Sequence, residues 1–119
     1  MATGCTINNT ARIDFEDGKF RRVGEPTEAA LKVLAEKICG NATSPSNAFE
    51  FEKQAKMKLR PIAKLDFTSQ RKAMSSIVSG YSNNLTDMLL KGAPDRILEK
   101  CTSYMSLGGK KEMNDRDRR

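Results

Sequence analysis

The stretch from Phe67 to Asp95, FTSQRKAMSSIVSGYSNNLTDMLLKGAPD, constrains this chain more than any other. Ala63, Leu65 and Phe67 alternate with Lys64 and Asp66, and Met74, Ser76 and Val78 resume the two-residue period beyond a short charged corner, which marks an extended arm. Ser79 to Asn84 is rich in turn formers, and a second arm runs from Asp87 to Lys91. Gly92 then breaks the strand, and Pro94 takes the first turn of a helix through Asp95, Ile97, Leu98 and Cys101. The pattern predicts a β-hairpin that delivers basic side chains to one pocket. Lys91, ending a strand beside Gly92, has two readings: a solvated strand end, or a cation brought close to a ligand.

The remaining chain supplies the elements that would flank this hairpin. Arg12 to Phe15 and Lys19 to Val23 alternate around the turn Glu16-Asp17-Gly18, predicting a small antiparallel hairpin. Gly24 releases the chain, Pro26 starts a helix running to about Cys39, and Gly40 stops it. Ala30, Leu31, Leu34, Ala35 and Ile38 fall on one face, expected to pack on the sheet, and Glu28 and Lys32 are spaced to pair. Residues 41 to 47, NATSPSN, read as an exposed linker. A second helix is predicted over Ala48 to Leu59, ended by Pro61, with Phe49, Ala55 or Lys56, and Leu59 on a thin apolar stripe. Thr102 to Leu107 is a candidate edge strand, and residues 108–119 form a charged tail expected to be frayed or disordered. The expectation is one α/β domain over residues 1–107, a mostly antiparallel twisted sheet flanked by helices.

Composition narrows the chemistry. The 119 residues, 38% apolar, suffice for one modest core, and no run reaches the ~20 apolar residues of a membrane span. The N-terminus lacks the basic and apolar blocks of a secretory signal, so an intracellular setting is expected. Cys5, Cys39 and Cys101 are widely spaced and histidine is absent, which argues against a zinc site or a cysteine–histidine nucleophile; the thiols are expected free, reduced and mostly buried. The net charge of +6 raises a nucleic-acid-binding module as an alternative. The charge is dispersed, however, and no basic strand interleaved with aromatics offers a base-stacking platform.

Two residues carry chemistry on their own terms. Glu28, like Glu25, opens a helix, where a carboxylate serves as a cap, but a fixed carboxylate also accepts a hydrogen bond from the exocyclic amino group of adenine. Phe67 is either an inward core residue of its strand or a face on which a purine stacks.

Three motifs in order turn these alternatives into a resemblance: Gly24-Glu25-Pro26-Thr27-Glu28-Ala29-Ala30-Leu31, Phe67-x-x-x-Arg71-Lys72-x-Met74-Ser75, and Lys91-Gly92-Ala93-Pro94-Asp95. Together, over roughly Cys5 to Leu107, they resemble the nucleotide-binding domain of P-type cation-transporting ATPases, particularly the endoplasmic-reticulum type of calcium pump. The resemblance implies that the chain binds ATP with its magnesium. Glu28 would hold the adenine, Phe67 would stack on it, and Lys72 and Lys91 would line the pocket and face the phosphates, with Arg71 and Gly92 beside them. It implies as partners the phosphorylation and actuator domains of a full pump, on the cytosolic face of an endoplasmic-reticulum-like membrane, with no membrane contact by this segment itself. Two positions depart from the family pattern: Ser69 stands where an arginine commonly helps hold the phosphates, and Asp95 replaces the commoner glutamate. The sequence holds no Asp-Lys-Thr-Gly-Thr phosphorylation motif, no Gly-rich phosphate loop and no isolated carboxylate pair for a metal. Nucleotide binding rather than turnover is therefore expected, with no catalytic or metal-ligating residue. A non-binding interaction fragment is the other alternative.

Overall fold

The computed structural model describes residues 1–40 and 48–118, so the expected linker over 41–47 lies outside the described residues. The elements are α1 (Ala2–Ile7), β1 (Arg12–Glu16), β2 (Lys19–Val23), α2 (Pro26–Cys39), α3 (Glu50–Lys58), β3 (Arg60–Thr68), β4 (Ala73–Ser79), β5 (Asp87–Gly92), α4 (Pro94–Leu98), β6 (Ser103–Ser106) and β7 (Gly109–Glu112). Helices and antiparallel strands mix as expected of the α/β class. Among the described residues the strands divide into three sheets, β1-β2, β3-β4-β5 and β6-β7, rather than one. The chain is elongated, 51 × 32 × 28 Å.

The first hairpin turns at Asp17 and Gly18, both left-handed at φ 50° and 75°, the geometry that matches a two-residue turn to the twist of its strands. Phe15 pairs with Phe20 across it, ring centroids 4.8 Å apart, and Phe20 meets Phe49 edge-on at 6.1 Å.

The central unit differs from the sequence expectation in one consequential way. What reads as a single arm with a charged corner is two strands, and the unit is a three-stranded meander with β4 in the middle. The reversal occupies 69–72, where Lys72 N–H donates to the Thr68 carbonyl at 2.7 Å and Lys72 takes a left-handed φ of 49°. As the central strand, β4 buries Ala73, Met74, Ser75, Ser76 and Val78. The edge strand β3 is exposed throughout and carries Arg60, Pro61 and Lys64, residues that discourage further strand pairing. Between β4 and β5, the Asp87 carboxylate accepts hydrogen bonds from Ser82 and Asn84. The Ser82 hydroxyl above all holds that carboxyl below its ordinary value.

Helix α2 begins at Pro26 and ends at Cys39 as the sequence predicts, but it packs a different face. Ala29, Lys32 and Ala35 are buried, whereas Leu34 is 41% and Ile38 55% exposed. Small side chains let α1 and α3 approach, and Lys32 is accommodated because it pairs with Glu52 of α3 at 2.8 Å rather than with Glu28. Glu52 also meets Lys56 at 2.5 Å. Burial by itself would raise the Glu52 carboxyl, but hydrogen bonds and charge from Lys32 and Lys56 outweigh it and hold the group below its ordinary value. Glu36 of α2 accepts the backbone N–H groups of Phe51 and Glu52 at 3.2 and 2.8 Å, satisfying two of the unpaired amides at the start of α3.

Further corrections concern smaller pieces. Helix α1 has no counterpart in the sequence reading, α3 is shorter than Ala48 to Leu59, and α4 ends at Leu98, short of Cys101. All three cysteines are free, but Cys39 is exposed and Cys5 and Cys101 are half-buried. Strand β7 pairs with β6 inside the stretch expected to fray, so regular structure continues beyond Leu107. Among the described residues no helix is long and apolar enough to cross a membrane.

Candidate functional site

Two buried asparagines between α1 and β1 set the frame. Asn8 donates through Nδ2 to the Met74 carbonyl at 3.0 Å and accepts from Ser76 Oγ at 2.9 Å, tying the end of α1 to β4. Asn9 donates to the carbonyls of Cys5 and Glu28 at 2.8 and 2.6 Å, and its own carbonyl accepts from Lys64 Nζ at 2.7 Å. These bonds fix the first turn of α2 relative to the central sheet. Sequence reading assigns neither residue a packing role: Asn8 heads an Asn-x-Thr triplet set aside as a chance match, and Asn9 carries no signal beyond following it.

On this frame Glu28 leaves the first turn of α2 and does not cap its own helix. Its Oε2 accepts the Thr10 backbone N–H at 3.1 Å, and its Oε1 lies 2.5 Å from Lys91 Nζ. Lys91 Nζ is removed from solvent and meets Glu28 off the hydrogen-bond axis, so it has no hydrogen-bond acceptor among the described residues. The pair brings together the two residues singled out at opposite ends of the sequence, and the ammonium retains donors with no acceptor.

Strand register places the rest. Lys91 pairs with Met74 and Gly92 with Ala73. Ala93 N–H donates to the Lys72 carbonyl at 2.9 Å, so the β3–β4 turn abuts the end of β5. A Cβ on Gly92 would collide with the Lys72 carbonyl and stand 2.8 Å from Ala73 Cα and Cβ. The glycine thus serves close approach of its own strands. Across β4, Leu65 pairs with Ser75 and Thr68 with Ala73. Two residues, Asp66 and Phe67, therefore stand against the single Met74, a β-bulge that breaks the two-residue period. Met74 thus pairs with Lys91 on one side and faces the Asp66–Phe67 bulge on the other. Phe67 is not a core residue, being 60% exposed.

Arg71 points elsewhere. Its Nη2 donates to Ser75 Oγ at 2.6 Å and its Nη1 to the Asp66 carbonyl at 3.3 Å, bracing the β3–β4 turn. The Glu28–Lys91 pair, with the Lys72 backbone against the end of its strand and an exposed phenylalanine on the same three-stranded sheet, has the parts to hold an anion attached to a flat ring. Among the described residues no group of three His, Cys, Asp or Glu is arranged to hold a metal ion.

Sequence comparison gives the family. The family model for the P-type ATPase cytoplasmic domain N matches residues 1–119, and the chain belongs to that family. It is 36% identical over 121 residues to the endoplasmic reticulum calcium ATPase srcA of Aspergillus fumigatus, covering 91% of this chain and 12% of the relative. It is 36% identical over 115 residues to the endoplasmic reticulum-type calcium-transporting ATPase 2 of Arabidopsis thaliana, and 34% over 114 residues to the corresponding ATPase 4. These cover 84% and 92% of this chain, and 11% of each relative. The chain thus spans about an eighth or less of the curated relatives it matches.

Proposed function

We propose that this chain binds an adenine nucleotide as part of a P-type, calcium-pump-like ATPase. The observation that carries the reading is the Glu28–Lys91 contact at the strand end where the Lys72 backbone abuts Ala93, with Phe67 open to solvent in the β3 bulge of the same sheet. Phe67 stacks on the purine, a contact worth roughly 1–3 kcal/mol by analogy with base–aromatic stacking elsewhere. Glu28, held by Thr10 N–H and Lys91, keeps lone pairs to accept the adenine amino group, where guanine presents a carbonyl. Lys91 and Lys72 supply positive charge toward the phosphates, which carry their magnesium with them. Arg71 acts through the turn it braces, positioning Lys72 rather than touching nucleotide. No residue in this account transfers a phosphoryl group. The nucleotide is presented to a phosphorylation domain on the cytosolic side of the membrane in a full pump. The expected free energy is modest, about −4 to −6 kcal/mol, a high-micromolar to millimolar Kd.

Isothermal titration calorimetry with MgATP and MgGTP tests the base contact. The native chain favours MgATP, and Glu28→Gln, whose amide retains one acceptor but loses the charge that holds Lys91, narrows that preference severalfold. Equal affinity for both nucleotides in the native chain would contradict the assignment of Glu28.

A further inference from the structure

Nucleotide binding as described gives no part to the asparagine pair that precedes β1. Asn8 and Asn9 are 1% and 6% exposed, and buried amides are tolerated only when their hydrogen bonds are made. Asn9 makes them all. Its Nδ2 gives one hydrogen to the Cys5 carbonyl and the other to the Glu28 carbonyl, and its Oδ1 accepts the Ala11 N–H at 2.8 Å. That pattern admits one orientation of one residue type, because an aspartate or a flipped amide would set an oxygen against two carbonyl oxygens.

The bond to Glu28 does not rescue an orphaned group. Glu28 lies in the first turn of α2, where its carbonyl faces the N–H four residues on, so Asn9 adds a second donor to a carbonyl that the helix already satisfies. What the second bond fixes is position. Asn9 holds the backbone of Glu28, and the next residue, Thr10, holds its carboxylate, donating N–H to Oε2 at 3.1 Å. The main-chain carbonyl of Asn9 accepts in turn from Lys64 Nζ at 2.7 Å, on the strand that carries Phe67. Asn8 ties the same segment to the Met74 carbonyl on β4, and Met74 pairs with Lys91. Residues 8–10 therefore join the carboxylate, the strand of the exposed ring and the strand-end lysine.

We propose that Asn9 is a positioning residue for base specificity: it fixes where the Glu28 carboxylate stands relative to the strand of Phe67, and Lys64 anchors it there. This rests on the reading of Glu28 as the acceptor of the adenine amino group, and adds that discrimination between adenine and guanine depends on two residues that touch no nucleotide. Hydrogen bonds are directional, so a displaced acceptor loses the adenine contact, whereas stacking on Phe67 is indifferent to the base and persists.

The test is calorimetric titration of the full chain with MgATP and MgGTP, repeated for Asn9→Asp, which keeps the volume and reverses the hydrogen bonding. Asn9→Asp narrows the preference for MgATP about two- to tenfold, through weaker MgATP binding at unchanged MgGTP affinity. Amide hydrogen exchange without nucleotide shows the Thr10 N–H losing protection in the same variant. Glu52→Ala, destabilised between α2 and α3, keeps the native preference. A preference or a Thr10 protection that survives in Asn9→Asp, or a preference that Glu52→Ala narrows as much, overturns the proposal and leaves Glu28 as the base contact. Equal affinity of the native chain for both nucleotides overturns that reading of Glu28 and the proposal with it. Should Asn9→Asp not fold, Lys64→Met decides: the preference narrows and Lys64→Arg, which keeps a donor, restores it, whereas an unchanged preference in Lys64→Met overturns the proposal.

Discussion

Removing the carboxylate of Glu52 exposes the energetic cost of placing a lysine inside α2. The Lys32 side chain is only 7% exposed, and its ammonium is held by Glu52 at 2.8 Å. Glu52→Ala strands that charge. Breaking a buried pair by removing one partner costs ~3–5 kcal/mol, and because Lys32 borders a cavity that admits water, we take the lower end, about 3 kcal/mol. Lys32→Met behaves differently, since Glu52 retains Lys56 at the surface and the methionine fills the vacated space, so the loss stays within about 1 kcal/mol. The double variant falls near Lys32→Met alone, giving a coupling energy of about 3 kcal/mol. Urea denaturation followed by circular dichroism reads this directly. With a slope of roughly 1.5 kcal/mol per molar, the Glu52→Ala midpoint drops by about 2 M at pH 7. The Glu52 carboxyl titrates below its ordinary value of 4.5 in the folded chain, so its stabilisation is complete above pH 4.5 and disappears as pH falls through the lower folded value. The gap between native and Glu52→Ala chains therefore closes in acid. A Glu52→Ala loss under about 0.5 kcal/mol at pH 7 with an unchanged slope would refute the reasoning, as would Lys32→Met being equally costly.

Two further substitutions separate fold from binding at the candidate site. Gly92→Ala forces β5 away from Lys72 and Ala73 and costs about 1–3 kcal/mol, seen as a drop of roughly 4 °C or more in the thermal midpoint; an unchanged midpoint would show that the strands do not approach this closely. Lys72→Gly relieves a left-handed residue at φ 49° and leaves stability equal or up to about 1 kcal/mol higher, while calorimetry shows weakened MgATP binding. Loss of stability together with binding would instead make Lys72 a folding residue.

The bounds of α2 were legible because Pro26 fits a first helical turn and Gly40 follows the last. Its packing face was not, because hydropathy favours Leu34 and Ile38, whereas the close approach of α1 and α3 favours Ala29 and Ala35, and a buried lysine is explicable only once Glu52 is seen. The β3–β4 reversal was hidden because it contains no Gly, Pro or Asn, and its left-handed position is held by a lysine. Helix α1 is six residues long with a glycine inside and no side-chain cap, and its end is tied down by Asn8 and Asn9 through contacts far away in sequence. Of the six candidate residues, the motif resemblance singled out Glu28 and Lys91, which touch. It could not separate Arg71, which turns back on its own loop, from Lys72, which abuts the end of β5.

The most direct test of nucleotide binding is a heteronuclear NMR titration of the chain with MgATP, using MgGTP and a Phe67→Ala variant as controls. Phe67 is exposed, so Phe67→Ala keeps the native spectrum and isolates the stacking contact. The account predicts saturable shifts at Glu28, Phe67 and Lys91 with MgATP, smaller ones with MgGTP, and a roughly 5- to 150-fold weaker response in Phe67→Ala. A folded chain whose spectrum does not move under millimolar MgATP would contradict it.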